Sequence, residues 1–115
     1  MFDRVIAVNL KDVFLCLKHK IRAMSAGGRP RTIVNIGSVA SLVAASGMPA
    51  YAASAVLGVT RTAAVEYARR NIRVNATNRG ATADEIAAAT LWLASDAASF
   101  VTSQGLPVDG GMVVR

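Results

Sequence analysis

Few side chains in this sequence have the chemistry of a nucleophile or a metal ligand. The only cysteine, Cys16, stands between Leu15 and Leu17 and is expected to be a small buried residue rather than a nucleophile. The only histidine, His19, lies between two lysines and is expected on a solvated face. No cluster of His, Cys and Asp has metal-ligand spacing, so no metal site is predicted. A single cysteine also excludes an internal disulfide.

Hydroxyl and amide side chains offer the other possible chemistry. Ser38 and Tyr51 are separated by twelve residues, and Asn9 precedes both of them. A serine and a tyrosine at this spacing occur by chance in many chains. Taken alone, Ser38 can be a loop serine that bonds its own backbone, and Tyr51 can be an aromatic residue that packs at a helix start. Asn9 can complete hydrogen bonds between helices, so the meaning of all three depends on the elements that position them.

The first of these elements is an amphipathic helix, predicted over residues 3 to 24 with Asp3 as its N-cap. Gly27 and Gly28 end this helix, and Pro30 prevents its return. The prediction depends on apolar residues that recur at spacings of three and four. They are Ile6, Leu10, Val13, Leu17, Ile21 and Met24.

The remainder of the chain alternates short runs rich in β-branched residues with longer Ala-rich segments. This order implies a parallel sheet with crossover helices, so the predicted fold class is α/β, with about three strands and three main helices in one domain. Trp92, in the last helix, is expected in the core. Strands are predicted near 32–36, 72–76 and 106–108, and helices over 51–70 and 83–94.

Four segments, in this order and on these elements, resemble the short-chain dehydrogenase/reductase family. The resemblance covers nearly the whole chain and implies a partial Rossmann-like, doubly wound parallel sheet. The chain would be the C-terminal half of that domain, truncated so that the first four of seven strands are missing. The segments are Val8-Asn9-Leu10, Ile33-Val34-Asn35-Ile36-Gly37-Ser38, Tyr51-Ala52-Ala53-Ser54, and Ile72-Arg73-Val74-Asn75-Ala76 with the later Ser95-Asp96-Ala97-Ala98-Ser99 and Val108-Asp109-Gly110-Gly111.

The resemblance also implies a reaction, the NAD- or NADP-dependent transfer of hydride between an alcohol and a carbonyl. Tyr51 matches the family's proton-transferring tyrosine and is the one residue here assigned to the cofactor side of the site. Ser38 matches the serine that steadies the carbonyl oxygen. Asn9 matches an asparagine that helps to position a water molecule in the proton relay.

The cation of the family's site is missing from its usual position. The residue four positions after Tyr51 is Ala55, where the family has a lysine that lowers the tyrosine pKa and bonds the cofactor ribose. Two residues look removed just after Ser54. No lysine follows Lys20, so Tyr51 is expected to titrate near its ordinary pKa of about 10.

Two further departures concern cofactor and substrate. The sequence contains no Gly-x-x-x-Gly-x-Gly turn to hold a pyrophosphate at a helix N-terminus. After Ala76, the family's Pro-Gly turn and long substrate-binding loop are replaced by a short loop over 77–82. The chain is therefore expected to be an oxidoreductase fragment that is inactive alone.

Two alternatives stay open. The chain could be a non-catalytic module that docks with intact relatives, or with its own copies, through the first two helices and the open edge of the strand near Ile33. It could also bind a polyanion, because it has a net charge of +6 and all but one of its basic residues lie before residue 81. No aromatic residues alternate with these charges, so nucleic acid is not expected.

The uncharged run 32–60 is long enough to span a bilayer, but its Gly, Ser and Pro content argues against a membrane helix. No signal peptide is visible, and a cytoplasmic location is expected.

Overall fold

A computed structural model describes residues 1–43, 46–53 and 56–114. Its strands form one parallel sheet in the order β1-β2-β3, which confirms the predicted α/β class. The strands are β1 (Arg31–Ser38), β2 (Ile72–Arg79) and β3 (Gly105–Val108). The helices are α1 (Phe2–Ile6), α2 (Asp12–Met24), α3 (Pro49–Ala53), α4 (Val56–Tyr67) and α5 (Ala83–Ala94).

The N-terminal helix runs through a π-helical segment, Ala7–Lys11, which joins α1 directly to α2. Its predicted apolar face is confirmed, because Leu17 and Ile21 are buried against the sheet. The predicted N-cap is wrong: Met1 holds that position without a side-chain hydrogen bond, and Asp3 lies in the first turn. An acidic residue there still interacts favourably with the helix dipole.

The main hydrophobic core lies between α2, α4 and the first two strands. Two core assignments are wrong, because Cys16 is exposed and Trp92 is 44% exposed. In each case the next residue of the helix, Leu17 or Leu93, takes the core position, since consecutive helical residues point about 100° apart. His19 is exposed, as predicted. The core cluster contains Leu17, Ile21, Ile33, Ala63, Ala64, Ile72 and Val74.

Both main strands are longer than the sequence pattern predicted. β1 and β2 stay paired up to Ser38 and Arg79, so the first residues of the predicted loop, 77–79, belong to β2. Thr77 and Asn78 are fully buried there. The two strands therefore end side by side at one edge of the sheet.

The predicted helix over 51–70 corresponds to α3, α4 and a short 3-10 turn, Ala68–Arg70. Ser54 and Ala55 lie outside the described residues. The predicted loss of two residues just after Ser54 falls on the same part of the chain. α5 has the predicted bounds, and a capping box between Thr82 and Glu85 fixes its start. No helix in the described ranges is both long and apolar enough to cross a membrane.

Candidate functional site

The sequence-predicted site residues come together where β1 and β2 end. Asn9, Ser38 and Tyr51 line one open cavity of about 240 Å³, although they belong to three separate elements. A fourth polar residue, Arg79, lines the same cavity. Ala55, the family's lysine position, lies outside the described residues.

Ser38 is the last residue of β1, and two local hydrogen bonds hold it in place. Its Oγ accepts a hydrogen bond from the Ala40 N–H at 3.2 Å, and its carbonyl accepts one from the Ser41 hydroxyl at 2.5 Å. The serine thus caps the short 3-10 turn that follows, as a loop serine commonly does. A hydroxyl that accepts from the backbone still has its own proton to donate, so this capping role is compatible with a role in the cavity.

Tyr51 lies half-buried on α3, with its phenol near Ser38 and Arg79. The hydrogen bond with Ser38 is the largest influence on its pKa and lowers it. Burial acts in the opposite direction, while the hydrogen bond and positive charge of Arg79 lower it further, so the Tyr51 pKa falls below its ordinary value of 10.0. The prediction that this pKa stays near its ordinary value is wrong, because the Ser38 hydrogen bond lowers it and the neighbouring cation is an arginine, not a lysine.

Arg79 was missed, although the sequence contained a signal for it. It is the last residue of β2 and the register partner of Ser38, the last residue of β1. Polar residues at the carboxyl ends of adjacent parallel strands meet at the edge where such folds bind ligands. The pair Ser38 and Arg79 follows from that rule once both strands are extended by a few residues.

Asn9 reaches the cavity from the π-helical segment of the first helix. A π-helical turn changes the direction of the side chains that follow, and such turns are frequent at functional sites. The side chain of Asn9 is half-buried at the cavity wall. Within the described ranges no group of His, Cys, Asp and Glu could hold a metal ion, so the site is built from hydroxyl, amide and guanidinium groups.

Behind the cavity, Asn78 is buried with both atoms of its amide unpaired among the described residues. Its register partner on β1 is Gly37, and a Cβ at that position would collide with the Asn78 Oδ1. Glycine is therefore required next to Ser38 for the asparagine to fit. The sequence pattern did not indicate this contact.

Comparisons with known proteins identify the family of the chain. The family model described as short chain dehydrogenase matches residues 1–91, and the one described as enoyl-(acyl carrier protein) reductase matches residues 76–113. An A-factor type gamma-butyrolactone 1'-reductase of Streptomyces virginiae is 36% identical over 146 residues, covering 99% of this chain and 57% of that protein. A cis-4-hydroxycyclohexanecarboxylate dehydrogenase of Sinomonas cyclohexanicum is 39% identical, covering 94% of this chain and 55% of that protein.

Solved structures show the same relation. Acetoin dehydrogenase from Salmonella typhimurium superposes with a TM-score of 0.94 at 31% identity, over 99% of this chain and 56% of that one. A 4-hydroxyisoleucine dehydrogenase complexed with NADH superposes with a TM-score of 0.93 at 31% identity, over 100% of this chain and 60% of that one. The chain thus spans little more than half the length of these proteins, and it belongs to the short-chain dehydrogenase/reductase family.

Proposed function

We propose that this chain carries the carbonyl-binding side of an NAD(P)-dependent oxidoreductase site and does not transfer hydride by itself. One observation supports this most directly: Asn9, Ser38 and Tyr51, which match the family's site positions, line the same cavity. Two hydroxyl groups that share a cavity can both donate hydrogen bonds to one carbonyl oxygen. Tyr51 would then hold the proton that the oxygen receives.

The described residues do not fit a whole dinucleotide. The cavity of about 240 Å³ is smaller than the roughly 300 to 1,000 Å³ of small-molecule pockets. The sequence has no Gly-rich turn that leads from a strand into a helix to hold a pyrophosphate. NAD or NADP is therefore the cofactor that the family implies, and its binding would need a nucleotide-binding half from outside these residues.

The proposal is tested by titrating the purified chain with NADH and NADPH while cofactor fluorescence is followed. Size-exclusion chromatography on the same sample reports whether the protein is folded and in what assembly. We expect a folded species without saturable binding in the micromolar range and without carbonyl reduction. An intact reductase of the family serves as the positive control. Measurable oxidation of NAD(P)H by the chain with small ketones would overturn the proposal.

A second candidate function is docking with other subunits of the family, or with its own copies. An apolar groove of about 770 Å³ lies between α2 and α4, and Phe14 at this groove is 54% exposed. In the described sheet β1 pairs on one side alone, with β2, so its other edge can accept a strand. Apolar surface of this kind is typical of interfaces.

The docking function predicts co-purification with an intact relative or an oligomer of the chain. Phe14→Glu should weaken either assembly because it places a charge in the apolar groove. Lys20→Glu is a matched control, because it introduces an acid at an exposed position of the same helix that does not line the groove. A stable monomer that captures no relative would contradict this function.

A further inference from the structure

We propose that Arg79 is the cationic partner of Tyr51, in place of the lysine that the family carries four residues after its tyrosine. The inference deepens the proposed carbonyl site, because it assigns a source for the positive charge that Ala55 cannot provide. Arg79 acts through Tyr51 and is therefore a positioning residue. It stands in the short segment after Ala76, where the family has its Pro-Gly turn.

The sheet register brings the two strands' polar ends together. Ser38 and Arg79 are direct partners in the parallel pairing of β1 with β2, and register partners present their side chains on the same face. Tyr51 meets both residues from α3, and all three line one cavity. Arg79 lies on β2, so its position does not depend on the helical spacing that places the family's lysine.

The electrostatic surroundings leave the arginine charge available to the phenol. No Asp, Glu, Lys or His lines the cavity, so Arg79 is its one charged group among the described residues. Asp109 approaches the neighbouring Gly80, but its carboxylate oxygens accept hydrogen bonds at 2.9 Å from the N–H groups of Gly111 and Val113. A guanidinium stays charged at every pH at which a phenol titrates.

The chemical consequence is a phenol that loses its proton more readily. When the Tyr51 hydroxyl gives up its proton, the negative charge stays on the phenolate oxygen. A guanidinium that donates to this oxygen stabilises the charged form, which is how a neighbouring cation lowers a tyrosine pKa. Because Arg79 is exposed to solvent, water screens the effect and limits it.

The chain allows a direct test because it contains only two tyrosines, Tyr51 and Tyr67. In a Tyr67→Phe background, the ultraviolet absorbance of tyrosinate reports the titration of Tyr51 alone. We expect Arg79→Gln to move the midpoint to higher pH and Arg79→Lys to keep it close to that of the parent. Neither substrate nor cofactor is needed, so failure of this inference is distinct from failure of the proposed function.

Arg29→Gln is the matched control, since it removes the same charge from an exposed residue before the opposite end of β1. It should leave the midpoint unchanged. Circular dichroism checks that each variant is folded. If Arg79→Gln does not fold, added salt provides a second measurement, because screening should raise the midpoint of the parent. The proposal is overturned if Arg79→Gln titrates like the parent, if Arg79→Lys titrates like Arg79→Gln, or if salt has no effect.

Discussion

The two ends of β2 differ in how their polar groups are satisfied. At the N-terminal end, the Arg73 guanidinium donates to the carbonyls of Leu93, Val101 and Ser95 at 2.9, 3.1 and 3.2 Å. Asn75 donates to the Val101 carbonyl at 2.9 Å and accepts from the Gln104 N–H at 3.0 Å. These bonds fasten the segment after α5 to the sheet.

At the C-terminal end, the same strand has a buried side chain, Asn78, without such bonds among the described residues. Both amide atoms of Asn78 are buried and unpaired among the described residues, and Arg79 extends into an open cavity beside Tyr51. A buried polar group without a partner costs about 1 to 3 kcal/mol. The N-terminal end of β2 thus contributes hydrogen bonds that stabilise the fold. Its C-terminal end contributes Arg79 to the candidate site.

The largest expected effect comes from Asn75→Ala, which removes two part-buried hydrogen bonds and leaves the Gln104 N–H without its acceptor. We expect the free energy of unfolding to fall by about 3 kcal/mol, measured by urea denaturation. Asn78→Ala is the matched control on the same strand, because Asn78 is equally buried but its side chain forms no hydrogen bond within the described part of the chain. Equal losses of unfolding free energy in the two variants would contradict the proposed difference between the two ends of β2.

Arg73→Met should have the next largest effect, because three carbonyls lose a charged donor while most of the apolar stem is kept. The expected loss of unfolding free energy is about 2 kcal/mol. Arg79→Met, six residues along the same strand, should change it by no more than about 0.5 kcal/mol, as exposed substitutions usually do. Thermal or urea unfolding of the two variants compares them directly, and a larger loss for Arg79→Met would be evidence against this interpretation.

Ser38→Ala tests how the C-terminal ends of β1 and β2 influence the Tyr51 pKa, and we expect it to change the free energy of unfolding little. In the Tyr67→Phe background, we expect this variant to raise the Tyr51 titration midpoint more than Arg79→Gln does, because the Ser38 hydrogen bond is the largest influence on that pKa. Ser25→Ala is the control, since that hydroxyl bonds the Ile21 carbonyl in another part of the chain. A smaller shift for Ser38→Ala than for Arg79→Gln would reverse the assigned order.

The smallest effect concerns stability at alkaline pH. The Tyr51 pKa is lowered in the folded state from 10.0, so between the folded pKa and that value the unfolded chain binds more protons. Tyr51 therefore adds stability as pH rises through this window and adds none from titration at neutral pH, where both states are protonated. The difference in unfolding free energy between the parent and Tyr51→Phe should grow with pH across the window. A difference that stays constant or shrinks would contradict the lowered pKa.

The sequence by itself determined the α/β class, the amphipathic face of the first helix and the bounds of α5. These features depend on local patterns: apolar spacing, β-branched runs, and capping residues such as Thr82 and Glu85. The order of Asn9, Ser38 and Tyr51 along these elements led to their prediction as site residues, and the structure places all three at one cavity.

The tertiary structure decided which cation stands beside Tyr51. The ends of β1 and β2 depend on how far their register continues, and that pairing joins Ser38 to Arg79 across a long stretch of chain. The exposure of Cys16 and Trp92 likewise depends on which neighbour in the helix faces the sheet. A one-residue step turns a helical side chain by about 100°, so local composition cannot distinguish core from surface at such positions.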